Sequence, residues 1–174
     1  YYIIGYRKEV VMNNLKIAFP EKTEAKRKKI AKEFYLTFTD SFIETIKMIS
    51  ISKKELLRRG NCDFGIMDAM VEKGRNVHIL CGHQFNWEFA NLIYGMRMKA
   101  QFVVVYAPIG NKIFDRIFLN FRSRYGSILV SAREFAKKMP QIFSKQYMLI
   151  LAAYQNPSNV KNSYWMNFFG RAVP

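Results

Sequence analysis

Residues 77–108 read VHILCGHQFNWEFANLIYGMRMKAQFVVVYAP, and the fold is decided in this stretch. VHILC, from Val77 to Cys81, and FVVVY, from Phe102 to Tyr106, are short apolar runs of strand length, and Trp87 to Met98 between them has helix length. Such alternation is what parallel strands joined by crossover helices produce. It continues downstream. SILV (Ser127 to Val130) and MLILAA (Met148 to Ala153) read as further strands, and Lys112 to Tyr125 and Glu134 to Lys145 as helices. Gly126 would end the first of those helices as a left-handed cap. The expected fold is α/β, with a mainly parallel central sheet flanked by helices.

Upstream the pattern is helical. Tyr6 to Phe19 carries Val10, Val11, Leu15, Ile17 and Ala18 between charges, and Pro20 ends it by denying its predecessor the helical region. From Thr23 to about Met48, Ile30, Phe34, Phe38, Phe42 and Ile46 recur every fourth position, a stripe set against the basic run Lys26 to Lys29. That stripe reads as packing or membrane contact. Ser52 with Glu55 fits a capping box, which predicts a short helix over Lys53 to Arg59 before Gly60. Two regions are therefore expected: a helical, membrane-proximal region over 1–60 and an α/β core over 61–174. The sequence shows neither an internal repeat nor a low-complexity tract.

A chain of 174 residues that is 50% hydrophobic and 16% aromatic has enough apolar material for a real core and is not of disordered composition. Cys62 and Cys81 are too few for a disulfide framework, and a reducing compartment is the default, with a single bridge and an export route left open. The opening YYIIGYRK lacks an initiator Met and reads as a fragment whose upstream part can hold a signal or a membrane span. No run within the chain approaches the roughly 18 apolar residues that a spanning helix requires.

The formal charge is +15, and it is unevenly spread. After Glu88, twelve bases face only Asp115 and Glu134, a local balance of +10. An anionic partner is expected, and nucleic acid, anionic lipid, phosphorylated substrate and acidic carrier protein all meet that electrostatic demand. Nucleic acid is set aside on motifs: there is no glycine-rich phosphate loop, zinc-finger spacing or paired aromatic signature.

His83 stands just beyond the first strand, in the turn to the next helix, where α/β proteins gather their ligands. Asn86 can cap that helix, placing Glu88 in its first turn. On one continuous helix a five-residue spacing would turn the two side chains about 140° apart, and a break at Asn86 removes that objection. The pair can then come within hydrogen-bond reach, the carboxylate orienting the ring and making it a better base. Taken alone, His83 reads first as a satisfied polar residue, and His78, inside the strand, as a packing or hydrogen-bonded one. No metal site is expected, because no third ligand stands at suitable spacing and Cys81 is expected on the opposite side of the strand end.

The segment YAPIGNKIFDRIFLNFRSRYG, residues 106–126, follows the neighbouring strand and supplies Tyr106, Asn111, Asp115, Arg116, Arg122 and Arg124. Asn111 can cap its helix. Taken alone the arginines read first as a solvated helix face, and second as an anion site.

Together these segments resemble the late acyltransferases of lipid A biosynthesis, the lauroyl and myristoyl transferase family, whose hallmark is H-x4-D/E. GHQFNWE is similar to the family's Gly-His-x-x-Asn-Trp-Glu block at Gly82, His83, Asn86, Trp87 and Glu88. The 106–126 segment is similar to its Y-x-P-x-x-N-x-x-x-D block with the arginine-rich end that follows. YRKEVVMNNLKIAFP resembles the stretch after the family's membrane-anchoring helix, and AAYQNPS with WMNFFGR its late Phe-Phe-Gly segment. Tyr154 stands where many relatives carry an acid, so neither it nor Gln155 receives a catalytic role. The chain stops short of the family's closing elements, so the core is expected to be truncated at its C-terminus.

The resemblance implies direct transfer of a fatty acyl chain to a lipid hydroxyl. His83 is the implied base, Glu88 its orienting carboxylate and Arg122 a donor to the oxyanion. Asn86, Trp87, Tyr106, Asn111, Asp115, Arg116 and Arg124 become substrate-binding candidates. The implied partners are an acyl carrier protein or acyl-CoA donor, an anionic glycolipid acceptor and the inner-membrane surface, at the cytoplasmic face of a bacterial inner membrane, with no cofactor. Transfer to another acceptor, such as glycerol phosphate or an aminolipid, and a basic non-catalytic membrane- or nucleic-acid-binding domain are the alternatives.

Overall fold

A computed structural model of the chain describes residues 6–60, 62–83, 86–152 and 160–174. Two compact units divide the chain, Tyr1–Ile43 with Gln155–Pro174, and Glu44–Tyr154.

In the first unit, α1 (Lys8–Ala18) stops just before Pro20, as the restriction on the residue preceding a proline requires. The helix α2 (Glu24–Met48) begins in this unit and ends in the other. Its every-fourth-residue stripe is not its buried face. Phe34, Phe42 and Ile46 are exposed, and the buried positions are Ala31, Tyr35 and Met48. Phe34 instead stacks on Phe38 with centroids 5.7 Å apart, and Phe38 meets Phe42 edge-on at 4.9 Å. Tyr35 donates its hydroxyl to the Tyr6 carbonyl at 2.6 Å. An antiparallel hairpin, β5 (Met166–Phe168) and β6 (Arg171–Val173), turns at Phe169 and Gly170, both at positive φ. No described helix is long and apolar enough to cross a membrane.

The second unit bears out the α/β expectation. Four parallel strands, β1 (Val77–Cys81), β2 (Gln101–Tyr106), β3 (Ile128–Ser131) and β4 (Tyr147–Ala152), lie in the order β1-β4-β2-β3. The strand that follows β1 in sequence is therefore not its neighbour, because β4 inserts between β1 and β2. The reason is composition: YMLILA is an almost unbroken apolar run, and such a run is stable only with both faces covered. On one face, Met148 and Phe102 pack with Val71 and with half-buried Met67, Tyr94 and Met98 of the flanking segments. On the other, Leu149, Val103, Val130 and Tyr147 meet Ile142 with Phe135 and Phe143 of α7 (Phe135–Phe143).

A third cluster sets the frame of the site. Met48, Ile51, Leu56, Phe64, Leu92, Ile93 and Phe121 join the end of α2, α3 (Lys53–Arg59), α5 (Trp87–Arg97) and α6 (Lys112–Arg122). The capping box at the start of α3 is present, the Ser52 hydroxyl accepting from the Glu55 amide at 3.2 Å. A further helix, α4 (Gly65–Glu72), lies where the apolar pattern predicts none, and it starts without a side-chain cap at Phe64. Gly126 has φ +94, as a left-handed position requires, three residues beyond the cap of α6 at Ser123. The expected strand through Ala153 closes at Ala152, and residues 153–159, with Tyr154 and Gln155, lie outside the described residues.

Candidate active site

The site begins where β1 ends. Asn86 has φ −87 and ψ 86, outside the helical region, so a real break separates His83 from α5. Its side-chain oxygen accepts from the Phe89 amide at 3.2 Å, satisfying one of the open donors of the first turn. Glu88 sits in that turn, where a negative charge also meets the positive end of the helix dipole.

Glu88 is 4% exposed, so its charge demands a partner. Arg122, the last residue of α6, supplies it: Nε donates to Glu88 Oε2 at 2.8 Å and Nη2 donates to Oε1. The guanidinium also lies over the Phe118 ring, 4.9 Å from its centroid. The imidazole of His83 packs edge-on against the Trp87 indole at 4.9 Å.

These groups border one cavity of about 270 Å³ at the carboxyl ends of β1, β2 and β4. Its polar side is His83, Glu88, Asn91, Tyr106 and Arg122, and its apolar walls come from Val104, Val105, Ile150 and Ala152. Cys81 lines the same cavity, which corrects the expectation that it points to the opposite side of the strand end. The correction follows from the two-residue period: Val77, Ile79 and Cys81 share a face of β1, and that face leads into the cavity. Burial pushes the Cys81 thiol above its ordinary range. Among the described residues, no group of three or more His, Cys, Asp and Glu side chains is placed to hold a metal ion.

Five candidates thus converge on the cavity: His83, Trp87, Glu88, Tyr106 and Arg122. Asn86 stands behind it as the helix cap. The others sit elsewhere. Asn111 caps α6, accepting from the Ile113 and Phe114 amides at 3.0 and 3.2 Å. Asp115 accepts from the Ile109 amide at 2.8 Å, closing the turn after β2. Arg116 is exposed. Arg124 donates to the carbonyls of Met48, Ile49 and Ile51, tying down the chain where α2 ends. His78 is hydrogen-bonded as its strand position suggested, its Nε2 lying 3.1 Å from the Tyr147 hydroxyl.

Two residues of the site were not singled out in the sequence. Asn91 is three positions after Glu88, hence on the same helix face, and that spacing is a signal that could have found it. Its Nδ2 donates to the Arg122 carbonyl at 2.9 Å, fixing the backbone from which the guanidinium reaches Glu88. Among the described residues its Oδ1 is buried without a hydrogen-bond partner. The second is Glu44 on α2, whose Oε2 accepts from Asn86 Nδ2 at 3.1 Å.

A parallel α/β sheet with an apolar-walled cavity at its strand ends, bordered by an imidazole and a buried carboxylate–guanidinium pair, is the layout of an α/β enzyme with room for an apolar substrate. The chain belongs to the bacterial lipid A biosynthesis acyltransferase family, whose family model matches residues 2–173. It is thus a member of an acyltransferase family, and such a family uses an acyl donor and a lipid acceptor. Comparison with individual curated proteins found no match.

Proposed function

We propose that this protein transfers a fatty acyl chain from a thioester, on an acyl carrier protein or coenzyme A, to a hydroxyl of an anionic glycolipid of the lipid A precursor type. The observation that carries the proposal is the convergence of His83, Glu88 and Arg122 on one cavity with aliphatic walls. An imidazole beside bound acceptor takes the hydroxyl proton as the oxygen attacks the thioester carbonyl. The tetrahedral oxyanion then collapses, the C–S bond breaks, and the thiolate takes the proton back from the imidazolium. Product is an ester and a free thiol.

Glu88 lends its fixed negative charge to the imidazolium as it forms. The clamp on Glu88 uses Nε and Nη2 of Arg122. A guanidinium has five N–H donors, so others remain for the oxyanion or a substrate phosphate. Arg116 and the bases of α6 and α7 give the acidic carrier protein or the glycolipid a field to follow.

A membrane-surface site at the cytoplasmic face of the inner membrane suits the same reading. The exposed Phe34, Phe42 and Ile46 of α2, with the basic run Lys26 to Lys29 on the same helix, match the chemistry of an anionic lipid surface.

The test is product analysis by mass spectrometry. Purified protein is given an acyl-carrier-protein thioester or acyl-CoA, with a lipid A precursor, glycerol phosphate or an aminolipid as acceptor. An O-acylated glycolipid from either donor is expected. Acylation of glycerol phosphate or the aminolipid alone would move the assignment to that acceptor.

A further inference from the structure

Asn86 is bonded on both sides of its amide, and the second partner is remote. Its Oδ1 accepts from the Phe89 amide that opens α5, and its Nδ2 donates to Glu44, 42 residues earlier in the chain. Asn86 is 5% exposed, so bulk water has little access to replace either bond. We infer that Glu44 is a positioning residue of this site: it fixes the Asn86 amide and, through it, the first turn of α5, which presents Glu88. The inference rests on the acyl-transfer reading above.

The chemistry of the three groups allows one arrangement. A carboxylate only accepts and a backbone N–H only donates, so a single orientation of the amide satisfies both. With Glu44 in place, a flipped Asn86 would set its NH2 against the Phe89 N–H and its oxygen against the carboxylate. Without Glu44 the amide loses its anchor, and the cap becomes one bond among competing rotamers. Asn86 lies three residues after His83 and two before Glu88, so a loosened cap displaces the carboxylate directly. Displacements of about 1 Å at a reacting centre can cost about a hundredfold in rate.

The experiment compares wild type, Glu44→Ala, Glu44→Gln, Asn86→Ala and the Glu44→Ala/Asn86→Ala double variant, each checked as folded by circular dichroism. Acyl-transfer kinetics and hydrogen exchange at the Phe89 amide are measured on all five. Glu44→Ala should lower kcat at least about tenfold while the donor KM changes less than about twofold, a loss confined to geometry at the reacting centre. Glu44→Gln keeps an acceptor oxygen and should restore kcat to within about threefold of wild type. The double variant should be no slower than Asn86→Ala, because Glu44 acts through Asn86. Phe89 exchange should quicken in Glu44→Ala and recover in Glu44→Gln.

Unchanged kcat in folded Glu44→Ala, failure of Gln to rescue, or multiplicative losses in the double variant would each overturn the inference. If wild type transfers no acyl chain at all, the functional reading falls instead. Phe89 exchange then still decides whether Glu44 sets the start of α5, since it needs no activity.

Discussion

Arg122 grips Glu88 through two nitrogens on one edge of its guanidinium, Nε at 2.8 Å from one carboxylate oxygen and Nη2 on the other. The two side chains are 14% and 5% exposed, so the pair is largely out of water. Such a side-on, two-bond contact fixes direction as well as charge. It holds α5 to α6 across the mouth of the sheet and holds the carboxylate in the wall that it shares with His83.

Removing one member is expected to hurt more than removing both. Arg122→Met leaves a buried carboxylate uncompensated and should destabilise the fold by about 3–5 kcal/mol. Adding Glu88→Gln to that variant should recover a large part of the loss, since the uncompensated charge is gone. Urea unfolding of the two single variants and the double decides it, and additive losses would contradict a coupled pair.

Gly60 packs where the end of α3 meets α5. A Cβ there would stand 2.6 Å from Phe89 Cε1 and 2.7 Å from Ile93 Cδ1. Both neighbours belong to the cluster that frames the site or pack against it. Gly60→Ala should therefore lower stability by about 1–3 kcal/mol through overpacking, in spite of alanine's lower backbone entropy when unfolded. Thermal melting checks this, and an unchanged or raised Tm would mean that the contact is not as close.

Cys81 offers a test of the cavity wall that needs no substrate turnover. Burial raises its thiol above the ordinary range, so it carries less thiolate than a free thiol at the same pH, and the thiolate is the nucleophile. Iodoacetamide labelling of the Cys81 peptide at pH 8 should be slower than labelling of N-acetylcysteine, and should climb as pH rises past 9, the ordinary value for this group. A non-hydrolysable acyl thioester analogue filling the cavity should slow it further. Labelling at the free-thiol rate would place Cys81 outside the wall.

The sheet was legible because its strands announce themselves locally. VHILC and FVVVY are short, apolar and bounded by turns, and Asn86 and Asn111 each stand one residue before the helix that they cap. What stayed hidden depends on distant partners. The sequence gives no pairing order, so the insertion of β4 between β1 and β2 could not be read from it. The stripe of α2 left packing and membrane contact open, because a four-residue spacing drifts around a helix of 3.6 residues per turn and does not by itself mark the residues that pack, here Ala31, Tyr35 and Met48. Within the site, the strand-end position of His83 and the break at Asn86 were readable. The partnership of Glu88 with Arg122 is 34 residues long and that of Asn86 with Glu44 is 42, and neither leaves a periodic trace. The backbone contacts of Asp115 with Ile109 and of Arg124 with Ile49 likewise depend on the folded chain.

The most direct measurement is the rate of acyl transfer from a thioester donor to a glycolipid acceptor by wild type, His83→Ala and Glu88→Ala, with circular dichroism confirming that each is folded. A base and its electrostatic partner at the reacting centre predict a loss of at least ~100-fold in each variant. Transfer at the wild-type rate by either folded variant would contradict the account.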